Sequence, residues 1–244
     1  MLFIGTPLYD NRVCSQYLHG LVQTIDVLRS HGLPSEYALE QGTYIAINRE
    51  KLVRRFLKSQ CQFFLFIDSD TAFTPLDVLA LLSSDVDVVS GLYRYRVQVQ
   101  PSVTPHCFRD LNGEPIDVNS PDLQECEFVP TGMLLIRRSV FEKLYESYEY
   151  LFNQGFHGKS VLRHKPQTTD EVILKFEGED EYFSRIWREA GGKVHVNCNV
   201  KVGHIGERDY RIGASEDRTP GTYLGELHYL GEFHGIKPGT RIPT

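Results

Sequence analysis

The chain has 244 residues, of which 41% are hydrophobic and 24% are charged, and its formal net charge is −6. This length and apolar content suit one large α/β domain with a sizeable core. The negative balance excludes the broad basic face that binding to nucleic acid or to an anionic membrane requires, so we expect neither as a partner.

Up to about residue 95, predicted strands alternate with predicted helices. Short apolar runs predict strands over 2–7, 36–40, 62–67 and 86–91. Apolar residues at helical spacing predict three helices: one from an N-cap at Asp10 to a stop at Gly32, one over 48–59 and one over 75–83. Such alternation is typical of right-handed crossovers and a mostly parallel sheet.

After residue 95 the pattern changes. Asn112-Gly113 between two polar arms predicts a hairpin, and "FVPTGMLLIRR" returns to the core. Further helices are predicted over 138–151 and 179–192, with one or two strands over 193–206 and a long polar loop over 153–177. The predicted fold is therefore a single α/β domain whose mostly parallel central sheet is flanked by helices and carries a hairpin insertion.

The stretch "FLFIDSD" ends a predicted core strand on two aspartates, Asp68 and Asp70. Ligands of open parallel sheets gather at the carboxyl ends of the strands. An i, i+2 pair in extended backbone directs both carboxylates to one side, which suits Mg²⁺ or Mn²⁺ bound together with substrate phosphates. The alternative is a capped turn in which the aspartates bond to backbone N–H groups.

A second aspartate pair, Asp85 and Asp87, precedes a strand instead of following one. It is therefore expected at the amino edge of the sheet, away from the ligand crevice, and we interpret it as structural.

Two other features could complete a site with the first pair. "EGEDEYF" places acidic residues where a helix should begin, although the helix dipole alone favours acids there. His204 ends an apolar strand between two glycines. Together with the aspartate pair, these features form a coherent candidate site.

Cysteine usage and the N-terminus bear on location. The five cysteines are scattered and never spaced as C-x-x-C, which argues against a disulfide framework or a zinc knuckle and fits a reducing compartment. "MLFIGTPLYD" has no basic n-region, and no apolar run approaches the roughly 18 residues of a membrane span. We expect a cytoplasmic protein with no membrane span.

Across residues 2–206, the chain resembles the GT-A glycosyltransferases, in particular the family-2-like enzymes that use nucleotide sugars. The resemblance is carried by four segments in order: "FLFIDSD", "VSGLYRYR", "VPTGMLLIRRSVFEKL" and "GEDEYFSRIWREAGGKVHVNCNVKVGHIG". It implies a Rossmann-like domain with a donor-binding half over about 1–95 and an acceptor and catalytic half over about 96–206. Residues 207–244 would then be a tail that packs on the site or closes over it.

The resemblance also implies roles for individual residues. Asp68, Asp70 and His204 would hold Mn²⁺ or Mg²⁺, and Asp180 would be the catalytic base of an inverting enzyme. The residues implied at the nucleotide-sugar donor are Thr6, Pro7, Tyr9, Asn48, Arg49, Asp68, Ser69, Thr131, Gly132 and Glu179.

The activity implied is transfer of a sugar from a nucleotide-diphosphate donor to a hydroxyl of a glycan or glycoconjugate. A UDP-sugar is favoured because UDP dominates among such enzymes, and a GDP-sugar is second. A developing charge on the leaving diphosphate needs a cation, and the acceptor hydroxyl needs a carboxylate to take its proton.

Alternatives of other classes remain open. A haloacid-dehalogenase-type phosphohydrolase also begins from a D-x-D strand, but usually from the first strand of its sheet. A sugar-nucleotide pyrophosphorylase would carry a glycine-rich, Arg-containing loop that "IGTPLYDNR" lacks. A non-catalytic nucleotide-sugar-binding domain would share the donor side, and donor hydrolysis in the presence of Mn²⁺ would separate an enzyme from such a binder.

Overall fold

The computed structural model describes residues 1–94, 108–156, 176–206 and 209–210. The helices in these ranges are α1 (Ser15–Ser30), α2 (Ile45–Leu57), α3 (Pro75–Leu82), α4 (Arg138–Tyr145) and α5 (Glu179–Glu189). The longer strands are β1 (Leu2–Leu8), β2 (Ser35–Gln41), β3 (Phe63–Ile67), β5 (Val88–Leu92), β7 (Met133–Arg137) and β10 (His195–Lys201). The short strands are β4 (Thr71–Ala72), β6 (Gln124–Glu125), β8 (Gly155–Phe156), β9 (Phe176–Glu177), β11 (Gly203–Ile205) and β12 (Asp209–Tyr210).

The main sheet of the described residues has seven strands in the order β2-β1-β3-β7-β5-β10-β6. β1 pairs in parallel with β2 and β3, and β10 pairs in parallel with β5. β7 runs against β3 and β5, and β6 runs against β10, so the other strands share one direction. The prediction of a mostly parallel central sheet in one α/β fold is confirmed.

Helices cover both faces of this sheet. α2, α4 and α5 contribute buried residues to one apolar cluster, including Phe56, Phe141 and Phe183. α1 and α3 contribute to the other, including Leu21 and Val78. The core is thus divided into two layers by the sheet, as in other α/β proteins.

Strand β3 shows why its sequence is continuously apolar. Phe64 and Phe66 belong to the cluster on one face, and Leu65 and Ile67 belong to the cluster on the other. Alternate side chains of a strand point to opposite faces, and both faces are covered here. The buried strand ends at the edge of the sheet with Ile67, and Asp68 is the next residue in the chain.

Two predicted helix boundaries were wrong by four residues or more. Helix α1 begins at Ser15, with Cys14 rather than Asp10 as its N-cap, because the Cys14 N–H donates to the Ser69 carbonyl at 2.8 Å and fixes the entry of the chain. Helix α4 ends at Tyr145, short of residue 151. The buried carboxylate of Glu50 accepts a hydrogen bond from the Leu151 N–H at 3.0 Å, which directs this segment away from the helix axis.

The second half of the chain agrees in part with the prediction. The turn at Asn112-Gly113 is present: Gly113 has φ 82°, and Arg109 and Pro115 form an antiparallel bridge across it. The predicted loop over 153–177 contains the paired strands β8 and β9, while residues 157–175 lie outside the described residues.

The one or two strands predicted over 193–206 are two. β10 belongs to the main sheet, whereas β11 leaves it and pairs with β4 and β12 in a second, three-stranded sheet. Most of the predicted tail over 207–244 is outside the described residues. No helix in the described part of the chain is both long and apolar enough to cross a membrane.

Candidate functional site

The aspartate pair occupies the turn that follows β3 at the carboxyl edge of the main sheet. Its backbone is held from three directions: the Asp68 N–H donates to the Gly132 carbonyl at 3.0 Å, the Ser69 carbonyl accepts from Cys14, and the Asp70 carbonyl accepts from the Ile205 N–H at 2.7 Å. These bonds tie the turn to the segment before β7, to the start of α1 and to β11. The backbone that carries the side chains of Asp68 and Asp70 is therefore held in place by these three hydrogen bonds.

Arg49, in the first half of α2, joins the aspartate pair to the acidic start of α5. Its Nη2 donates to Asp68 Oδ1 at 3.0 Å, and its Nε donates to Glu179 Oε1 at 3.3 Å. The Arg49 side chain is only 4% exposed, and its guanidinium carbon lies 5.3 Å from the centre of the Phe66 ring. Residues that are 130 positions apart in sequence are brought together here around one buried cation.

The three acids that open α5 have different roles. Glu181 Oε2 accepts from the Gly178 N–H at 3.1 Å and caps the helix, while Glu179 pairs with Arg49. Asp180 Oδ1 accepts from the Glu181 N–H at 2.9 Å. Burial and the charge of Glu179 raise the pKa of Asp180 to about 6, against an opposing effect of Arg49. Asp180 is thus a carboxylate that can exchange a proton near neutral pH.

His204, on β11, lies next to Asp70. Its Nε2 is 3.8 Å from Asp70 Oδ1, and its Nδ1 is 3.1 Å from the backbone carbonyl of Arg94. A carbonyl accepts only, so this contact places a proton on Nδ1, and Nε2 is the ring nitrogen that faces Asp70. A histidine that binds a metal typically donates its other ring N–H to a carbonyl or carboxylate in this way, which fixes the orientation of the ring.

The predicted metal ligands are only partly assembled. Asp70 and His204 lie next to each other, and a carboxylate oxygen and an imidazole nitrogen are both common ligands of divalent cations. Asp68 is engaged by Arg49 through Oδ1. Within the described ranges, no group of three or more His, Cys, Asp or Glu side chains is arranged to hold a metal ion.

The residues predicted to border the nucleotide base lie at the carboxyl end of β1 and just beyond it. The Thr6 hydroxyl is fully buried and shares a hydrogen bond of 2.5 Å with the Tyr17 hydroxyl, and Pro7 is also buried. Tyr9, by contrast, is 74% exposed. Of these three residues, Tyr9 alone presents its side chain to solvent.

Asn48 acts on the backbone around this edge. Its side-chain amide donates to the Leu8 carbonyl at 3.2 Å and to the Gly42 carbonyl at 2.8 Å. Because Leu8 is the last residue of β1 and Gly42 follows β2, Asn48 ties together the ends of two neighbouring strands.

Thr131 and Gly132 lie in the segment before β7. Thr131 is buried, and the Gly132 carbonyl accepts from both the Asp68 N–H and the Thr71 hydroxyl. A Cβ at position 132 would lie 2.9 Å from the end of the Tyr93 ring, so a larger residue would require this ring to shift.

Two neighbours of the site, Tyr93 and Arg94, were not predicted from the sequence. The Tyr93 ring meets the His204 ring edge to face, with centroids 5.3 Å apart, and Arg94 supplies the carbonyl that orients His204. Both follow β5 at the same sheet edge as Asp68, and that position was the signal available in "VSGLYRYR". The second aspartate pair lies elsewhere, as interpreted: Asp85 and Asp87 both form ion pairs with Arg137.

No protein-family model matches the chain, and a search of curated proteins finds no match. Solved structures do resemble its fold. A197 from STIV aligns with 91% of this chain and 99% of its own chain, with a TM-score of 0.47 and 16% identity. The structure of GalNAc-T7 with UDP, GalNAc and Mn²⁺ aligns with 84% of this chain and 44% of its own chain, with a TM-score of 0.46 and 13% identity.

A third similar structure is described as a glycosyltransferase involved in the glycosylation of the major capsid of PBCV-1. It aligns with 58% of this chain and 62% of its own chain, with a TM-score of 0.34 and 11% identity. The chain therefore covers less than two thirds of the length of the GalNAc-T7 chain, and also less than two thirds of the length of the PBCV-1 glycosyltransferase chain. These values indicate a likeness in fold and carry no argument about activity.

Proposed function

We propose that the protein is a glycosyltransferase that moves a sugar from a nucleotide-diphosphate donor to an acceptor hydroxyl. The observation that carries this proposal is the convergence of Asp68, Glu179 and Asp180 around Arg49. It supports the proposal because a donor-binding carboxylate and a proton-accepting carboxylate occupy one edge of the sheet, where ligands of α/β proteins bind.

Asp180 is assigned as the general base. With its pKa raised to about 6, the carboxylate is mostly ionised at pH 7 and yet basic enough to accept a proton. In the proposed reaction the acceptor oxygen attacks the anomeric carbon of the donor sugar and loses its proton to Asp180. The bond from the anomeric carbon to the diphosphate oxygen breaks with its electron pair, so the sugar is transferred with inversion.

Asp70 and His204 are assigned, together with Asp68, to a divalent cation. When bound, Mn²⁺ or Mg²⁺ would neutralise the negative charge that develops on the leaving diphosphate. The Nδ1 contact of His204 with Arg94 supports this assignment because it leaves Nε2 as the ligating atom. Exposed Tyr9 is the side chain assigned to the nucleotide base.

We favour a UDP-sugar as donor, with a GDP-sugar second, and a glycan or glycoconjugate as acceptor. A panel of UDP- and GDP-sugars, incubated with the protein and Mn²⁺, tests the proposal through release of free nucleotide and NMR analysis of the sugar product. Asp180→Asn is expected to lower turnover about 10²–10⁴-fold while leaving donor affinity nearly unchanged. Donor binding without any turnover would instead indicate a nucleotide-sugar-binding domain, and retained anomeric configuration would exclude Asp180 as the base of an inverting step.

A further inference from the structure

The buried bridge formed by Arg49 has a geometry that a nucleotide-contacting arginine does not require. Its two ion-paired nitrogens bond to carboxylates from two different elements, Asp68 after β3 and Glu179 at the start of α5. The planar guanidinium presents these two N–H donors in fixed directions, whereas the donors of a lysine ammonium rotate on a flexible stem. The bridge therefore sets the position of α5 relative to the aspartate turn.

The third nitrogen of the guanidinium adds to this picture. Arg49 Nη1 is buried and has no hydrogen-bond partner among the described residues. Asp180 nevertheless acts on Arg49 through its charge, as Asp68 and Glu179 do. The buried positive charge of Arg49 thus interacts with three carboxylates, those of Asp68, Glu179 and Asp180.

We propose that Arg49 is a positioning residue that locks the start of α5 onto the aspartate turn and keeps the neighbouring Asp180 in its proton-accepting form. This inference rests on the proposed function, in which Asp180 is the base. In this role Arg49 acts through the carboxylates around it and does not itself contact the donor.

The charged groups around Asp180 act in opposite directions. Within the described residues, Glu179 and Glu181 lie on its own helix and disfavour its ionised form, while Arg49 on α2 favours it. Arg49 and Glu179 are partners in one ion pair. Removing Arg49 should nevertheless raise the pKa of Asp180, whereas removing Glu179 should lower it. A purely structural role for the pair would not produce opposite effects.

The experiment is the pH dependence of kcat/KM for sugar transfer between pH 5 and 8.5, whose acid limb reports the base of the free enzyme. Arg49→Met is expected to move the acid limb to higher pH by about 1 unit, because an opposite charge nearby lowers a carboxyl pKa by 1–3 units. Glu179→Gln is expected to move it to lower pH. Arg49→Lys, which keeps the charge and loses the fork, should keep the limb near the wild-type position with a reduced kcat.

Arg54→Met is the matched control. Arg54 also lies on α2 and pairs with a glutamate, Glu50, but it is half-exposed and is not among the main charges that act on Asp180. Its loss should leave the acid limb in place. If Arg49→Met does not fold, Glu179→Gln and Arg49→Lys still test the inference, because the first must shift the limb downwards and the second must not shift it.

The outcomes separate the two proposals. A wild-type protein that transfers no sugar from any donor in the panel overturns the proposed function. Wild-type transfer with an acid limb that stays in place in Glu179→Gln, or that moves in the same direction in Glu179→Gln and Arg49→Met, overturns the role of Arg49 alone. Opposite shifts in these two variants support it.

Discussion

His204 faces Asp70 across the junction of the two sheets, with Nε2 3.8 Å from Oδ1. The pairing of β11 with β4 produces this contact, because it places His204 opposite Thr71, the residue after Asp70. A residue near the end of the described chain is thus held beside the turn after β3. When the His204 ring is protonated, this contact is an ion pair. A bound divalent cation would replace the ion pair, because Asp70 and His204 would then both coordinate the cation.

This relationship predicts that UDP binding depends on a divalent cation through Asp70 and His204. Asp70→Asn and His204→Ala should each weaken UDP binding in the presence of Mn²⁺ by about tenfold or more, because even the loss of a group that only orients a metal ligand typically costs about 10–100-fold in metal affinity or activity. Isothermal titration of UDP with Mn²⁺ or with EDTA measures the effect. Asp87→Asn is the control, since that aspartate also closes a D-x-D pair but bonds to Arg137. Equal UDP affinity with Mn²⁺ and with EDTA in the wild type would contradict the metal assignment.

A second prediction concerns Gly132. Alanine at this position would place its Cβ 2.9 Å from the end of the Tyr93 ring, which is itself packed against Phe108 and His204. The ring must shift, and His204 shifts with it. We expect Gly132→Ala to reduce Mn²⁺-dependent binding of UDP while the protein still folds.

The double variant Gly132→Ala, Tyr93→Leu tests the cause. Leucine removes the ring atoms that the new methyl group would meet, so UDP binding should recover part of its lost affinity relative to Gly132→Ala alone. A double variant that binds UDP no better than Gly132→Ala would show that the methyl group acts through something other than Tyr93.

The sequence predicted the sheet and the edge at which the site lies, but not the links between its residues. The aspartate turn follows from β3, whose continuous apolar run required burial on both faces. The ion pair between Arg49 and Glu179 could not be predicted, because it depends on the packing of α2 and α5 against one cluster. Likewise, the hydrogen bond from Cys14 to Ser69 fixed the start of α1, and no local capping rule contains that information.

The third prediction is that Asn48 contributes to stability through the strand ends. Asn48→Ala removes a donor from both carbonyls, but the Leu8 carbonyl keeps the Gly42 N–H as a donor at 3.2 Å. The main loss is therefore at the Gly42 carbonyl, and an unsatisfied buried partner costs about 1–3 kcal/mol. For a protein of this size, that corresponds to a fall in Tm of roughly 2–4 °C per kcal/mol, measurable by differential scanning calorimetry. Ser30→Ala, which removes an exposed side-chain bond to the Val27 carbonyl, is the control and should change Tm little. An unchanged Tm in Asn48→Ala would contradict this structural role.

The last prediction follows from the pKa of Asp180, which is raised from 3.8 to about 6 in the folded protein. Between these two values the folded state binds more protons than the unfolded state, so this group lowers the stability of the fold as pH rises. The effect begins near pH 4 and is complete above pH 6. A shift of this size corresponds to about 3 kcal/mol of unfavourable free energy at pH 7, as an upper value.

Asp180→Asn should therefore melt at a higher temperature than the wild type at pH 7.5 and lose that advantage as pH approaches 4, in differential scanning fluorimetry across this range. The ionised carboxylate of Asp180, the proposed base, would thus lower the stability of the folded protein at neutral pH. Asp110→Asn is a control of opposite sign. Hydrogen bonds from the Glu114 and Asn112 N–H groups lower the pKa of Asp110, so its carboxylate stabilises the fold above its usual titration range and its loss should lower Tm at pH 7.5. If Asp180→Asn were less stable than the wild type at pH 7.5, or if its Tm difference did not change with pH, Asp180 would not carry the buried charge assigned to it.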